Sequence, residues 1–152
     1  MYRTFTPIWI AVLLAAGLSG PVSGQETYVA TLTGPRAGTT SPATGTATLV
    51  LDAAATRIDF TISHDGLSSR EVASHIHYIQ GGIAFTLPKG NPKVGTWTSP
   101  TELDIMRLRA GDLYVNIHSD DHPTGEIAGD IVTAPTPVNA ATWGRIKGLF
   151  GP

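Results

Sequence analysis

Histidines are the residues best equipped for chemistry, and they gather in two segments. Ser74-His75-Ile76-His77-Tyr78-Ile79 carries two of the five histidines, two residues apart. In a β-strand successive side chains point to opposite faces, so His75 and His77 would share one face and leave Ile76 and Tyr78 on the other. The second segment, Tyr114-Val115-Asn116-Ile117-His118, runs on to His122. Imidazoles without thiolates suit Cu(II) or Zn(II) better than soft Cu(I) or hard Ca(II). His75, His77, His118 and His122 are therefore the candidate metal ligands, with His64 as an outlier. Each ligating ring needs an acceptor behind it to set its tautomer, and Asp120, Asp121 and Glu126 lie near enough in sequence to serve. The competing expectation is structural: a strand or turn histidine that bonds a carbonyl simply holds a loop.

Other residues on these segments are candidates for binding: Tyr78, Tyr114, Asn116 and Glu126. The two tyrosines read first as strand packing residues with a wet hydroxyl. Glu126 and Asp130 read as a solvated strand face. No catalytic residue is assigned. There is no Gly-x-Ser-x-Gly elbow, and His118-Ser119-Asp120 are contiguous, which does not make a triad.

Something must position these side chains, and composition says what. The chain has 152 residues, 17 glycines, 11 prolines, no cysteine and only 14% charged residues. That length suits one domain with a real core. Low charge with abundant Thr, Val, Ile and Gly points to an all-β fold. A formal charge of −2 offers no basic footprint for nucleic acid. Absence of cysteine excludes a disulfide framework and a thiolate metal site.

Strands are expected at Glu26 to Thr33, Thr46 to Leu51, Arg57 to Ile62, around His75 and His77, Ile83 to Leu87, Asp112 to His118 and Glu126 to Val132. The clearest alternation is Ile58, Phe60 and Ile62 against Arg57, Asp59 and Thr61, one face apolar and one wet, as in an antiparallel sheet. Residues 34–45 and 88–95 read as loops, and His64-Asp65 as the exit from the third strand. One helix is expected after Ser99, with Pro100 in its first position and Glu102 completing a capping box. Leu103, Met106 and Leu108 would form its apolar side, and Gly111 would end it. About seven short strands with turns between them suggest a Greek-key β-sandwich or partly closed barrel.

The ends read differently from this domain. Arg3, the apolar run Pro7 to Leu18 and small residues up to Gly24 have the layout of a secretory signal peptide, residues 1–24. The run is shorter than the roughly 20 residues a spanning helix needs. Export to the periplasm or the medium is expected, with no transmembrane segment after cleavage. Residues 134–141 form a short Pro-rich linker. In the tail, residues 142–152, Trp143, Ile146 and Phe150 are spaced as on an amphipathic helix.

Three motifs in order resemble the CHRD domain: Ala73-Ser74-His75-Ile76-His77, then Gly111-Asp112-Leu113-Tyr114-Val115-Asn116-Ile117-His118, then Pro123-Thr124-Gly125-Glu126-Ile127-Ala128-Gly129. The resemblance runs from about Tyr28 to Ile131, and the domain is set within residues 26–133. It departs at Ala128, where Arg is common, at His122, where Asn is common, at His64, where an apolar or small residue is usual, and at Tyr78-Ile79-Gln80, which precede Gly81. It implies an exported bacterial member with an immunoglobulin-like or superoxide-dismutase-like barrel, and no firm activity. The His-Ile-His strand is similar to the paired ligands of copper-zinc superoxide dismutase, but the rest of that ligand set and its disulfide are absent.

The expectation is therefore an exported, non-catalytic binding or structural module with an unidentified protein or envelope partner. The alternative is a histidine-rich copper- or zinc-binding protein, with superoxide-dismutase-like redox activity as its extreme form.

Overall fold

A computed structural model describes residues 24–135. The expected signal peptide up to residue 23, most of the expected linker and the whole Trp143 tail lie outside the described residues.

Among the described residues, nine strands and two short helices follow in the order β1 (Glu26–Thr33), α1 (Gly34–Ala37), β2 (Thr44–Leu51), β3 (Arg57–Asp65), β4 (Glu71–Tyr78), β5 (Ile83–Thr86), β6 (Lys93–Thr98), α2 (Glu102–Ala110), β7 (Leu113–Ser119), β8 (Ile127–Asp130) and β9 (Val132–Thr133). All ladders are antiparallel. The strands run β5-β4-β7-β8-β1-β2-β3-β6 across one sheet, with β9 paired to β1. The all-β expectation holds, and the sheet curls into a nearly closed barrel. Its two ends, β5 and β6, meet through side chains: Phe85 stacks on Trp97 at 5.0 Å between ring centroids, and Phe60 meets Phe85 edge-on at 5.8 Å.

Strict alternation builds the core. Ala47, Leu49 and Leu51 of β2 lie opposite Ile62, Phe60 and Ile58 of β3, all buried. Leu113, Val115 and Ile117 of β7 do the same beside Ile76 of β4. Each large apolar side chain so buried contributes about 1.5–3 kcal/mol. The Lys93 ammonium is buried with this interior and bonds Glu71 Oε1 at 2.6 Å and the Gly90 carbonyl at 2.7 Å. Its bonds tie the segment before β6 to the start of β4 and help close the seam.

Several expected boundaries need correction. The loop at 34–45 contains α1, capped by Thr33, whose hydroxyl accepts from the Arg36 N–H. The loop at 88–95 is shorter, because β6 begins at Lys93. His64 and Asp65 belong to β3 rather than to its exit. The last expected strand is two pieces, broken at Ile131.

The helix cap also moves. Ser99 has φ +54°, whereas a capping residue needs extended backbone. Thr101, at φ −72° and ψ 163°, caps α2 and forms the capping box with Asp104, not with Glu102. Leu103 and Met106 are exposed, and Leu108 is buried with Ile105 packed beside the core. The helix turns its first-turn Asp104 inward because that carboxylate also accepts the Tyr78 hydroxyl.

Candidate metal site on the outer sheet face

Antiparallel pairing of β4 with β7 places His75 opposite Asn116, His77 opposite Tyr114 and Ala73 opposite His118. All of these are on the outer face, since Ser74 and Ile76 point into the barrel. Residues separated by some forty positions thus become neighbours. His75, His77 and His118 each offer a ring nitrogen, and the three nitrogens lie within 4.8 Å of one another.

Backbone carbonyls set the tautomers. A carbonyl only accepts, so a ring nitrogen facing one must carry the proton. His118 Nδ1 faces the Pro123 carbonyl at 3.0 Å, and His77 Nδ1 faces the Gly82 carbonyl at 3.2 Å. Both rings therefore present a bare Nε2 lone pair. His77 Nε2 is buried and has no partner. His118 Nε2 lies 3.1 Å from His75 Nδ1, which supplies the proton for that contact. Moving this proton to His75 Nε2 frees a third lone pair beside the other two.

Electrostatics favour the neutral form of His75 and His77. Burial, then repulsion from His118 and His77, holds His75 below its ordinary value of 6.5. Burial also lowers His77, against the opposing hydrogen bond to Gly82. Neutral imidazole is the form a metal binds.

Two turns supply the carbonyls. Gly82 follows β4 in a tight turn with φ +95°, and its carbonyl accepts both His77 Nδ1 and the Tyr78 N–H. The turn from Ser119 to Gly125 folds over the other end. It accepts from His118 at Pro123 and from Asn116 Nδ2 at Thr124, 3.2 Å. Gly125 has φ +125°, and a Cβ there would stand 2.3 Å from Asn116 Oδ1. That oxygen is buried and has no donor.

The other candidates are placed elsewhere. His122 belongs to the covering turn, where its backbone bonds Ser119 and Gly125, and its ring does not join the three. His64 sits at the far end of β3, with Nε2 3.5 Å from Glu71. Tyr78 points to the inner side, where its hydrogen bond to Asp104 and its burial push the phenol up to about 12. Tyr114 does flank the three rings: it stacks on His77 at 5.2 Å.

Glu126 requires the largest correction. It is fully buried, not solvated. Its carboxylate accepts Ser41 Oγ at 2.7 Å, Ser68 N at 2.7 Å and Ser68 Oγ at 3.1 Å. Burial alone would raise its pKa, but the surrounding serine donors, Ser119 first and then Ser41 and Ser68, outweigh it and hold the group down to about 2. Glu126 latches three loops together and reaches no imidazole. Asp120 pairs with Arg70, and the Asp121 N–H bonds Ser69. The expected carboxylate acceptors are thus replaced by the carbonyls of Gly82 and Pro123.

Arg36 was not expected here. Its guanidinium lies 4.9 Å over the Tyr114 ring and forks onto Asp130. Nothing in its own Gly-Pro-Arg-Ala segment points to this, since the contact depends on α1 folding back over β8.

A family model for the CHRD domain matches residues 28–131. The chain belongs to the CHRD-domain family. Comparison with curated proteins finds no match. The matched span in this CHRD protein contains every residue of the three-histidine cluster and both turns that orient it. No helix among the described residues is long and apolar enough to cross a membrane.

Proposed function

We propose that this CHRD protein is an exported, non-catalytic binding module that holds one Zn(II) or Cu(II) ion through His75, His77 and His118. One observation carries the proposal: in a cluster of three histidines with ring nitrogens within 4.8 Å of one another, two imidazoles are held by backbone carbonyls with bare Nε2 atoms, and one of these lone pairs is buried without a partner. A histidine serving only a structural role would have its second nitrogen wet or bonded. In a tetrahedral zinc site, ligand nitrogens stand about 3.4 Å apart, given bonds of about 2.1 Å. The His75–His118 pair, at 3.1 Å, is close to that spacing already. The His77 nitrogen, within 4.8 Å of the other two, would have to close the remaining gap.

Export is supported by the layout of residues 1–24, with a charged start, a short apolar run and small residues. The partner of the module is a protein or an envelope component.

The test is metal analysis of tag-free protein after dialysis, repeated on the His75→Ala/His77→Ala variant. The expected result is one zinc or copper per chain, lost in the variant. Absence of stoichiometric metal from the parent protein, after loading, would remove the metal and leave a histidine cluster that holds loops.

A further inference from the structure

Three imidazoles do not complete a coordination shell. Zinc sites in proteins are four-coordinate, closed by a fourth protein ligand when structural and left open when the ion exchanges ligands. Among the described residues, no fourth His, Cys, Asp or Glu joins His75, His77 and His118. The carboxylates that could have done so are engaged. Glu71 is held by Lys93, Glu126 by Ser41 and Ser68, Asp120 by Arg70 and Asp130 by Arg36.

Charge points the same way. All three ligands are neutral, so a bound dication keeps its full charge. Arg36, over the Tyr114 ring on this face, forms with Asp130 a pair that is neutral as a unit. A site of two positive charges with no acidic ligand attracts anions and acidifies bound water. The cluster also lies at the outer sheet face rather than in the barrel core, with His75 and His77 only part-buried.

We infer that the metal's fourth position is open and exchangeable, and that it takes water or a small anion binding through one atom, such as hydroxide, azide or a carboxylate. This rests on the metal site proposed above and names its ligand class. It separates a site that engages a soluble or side-chain anion from one that only staples two strands.

The test uses the tag-free protein loaded with cobalt(II), whose visible spectrum reports its coordination, titrated with sodium azide. The expected result is a saturable spectral change at one azide per cobalt, unaltered in His64→Ala and His122→Ala. Bound cobalt whose spectrum azide leaves unmoved would overturn the open position while the metal site stood. An azide response appearing only in His122→Ala would do the same, by identifying His122 as the fourth ligand. Failure of cobalt to bind at all would sink both proposals together.

Discussion

His75 Nδ1 and His118 Nε2 face each other at 3.1 Å across the β4–β7 ladder. Their Cα positions are not direct partners: His75 pairs with Asn116, and His118 with Ala73. The contact is diagonal, and it forms because the turn at Pro123 fixes the His118 ring. Each ring must be neutral for its lone pair to be available.

Loss of either His75 or His118 should therefore abolish tight metal retention. Removing an acceptor behind a ligand typically costs 10–100-fold in affinity, so removing the ligand should cost more than about 100-fold. His64→Ala and His122→Ala should bind as the parent does, because neither ring joins the cluster. Competition against a chromophoric chelator measures all four variants.

Gly125→Ala should destabilise the fold and loosen the covering turn. The new Cβ meets the Asn116 amide at 2.3 Å, and φ of +125° is strained for any L side chain. A loss of about 1–3 kcal/mol is expected in urea unfolding from the backbone alone. Asn116→Ala in the same chain should recover the part due to the clash and not the part due to φ.

Glu126 sets an acid limit. Its folded pKa lies at about 2, below the ordinary 4.5, so the folded state binds fewer protons than the unfolded one between those values. Its contribution is fully present above about pH 4.5 and is lost as pH falls toward 2. Glu126→Gln should flatten this part of the stability–pH curve. It should also cost about 1–3 kcal/mol at neutral pH, because donors from Ser41 and Ser68 lose their charged acceptor.

Lys93 offers a contrast between breaking and replacing a buried pair. Lys93→Met leaves Glu71 buried with its main cation gone, which should cost about 3–5 kcal/mol. Lys93→Met combined with Glu71→Gln should recover much of that loss, because no uncompensated charge remains. Chemical denaturation of the single and double variants decides this.

Much of the architecture was legible in the chain itself. Alternation in β2, β3 and β7 showed which residues face the core, since a strand's side-chain period is two and one face had to be apolar. The same parity put His75 and His77 on one outer face. The helix stop at Gly111 was also readable, because only a left-handed residue closes that turn, here at φ +73°.

Other features depended on neighbours remote in sequence. Alternation made Glu126 look solvated; the loops bearing Ser41 and Ser68, which no periodicity predicts, bury it. His122 and His64 lie close to the site along the chain, yet the turn at Ser119–Gly125 and the length of β3 carry their rings away from it. Local residue order sets which side of a strand a group occupies. Which strands lie side by side, and therefore which three imidazoles meet, is settled only when the barrel closes and β4 finds β7.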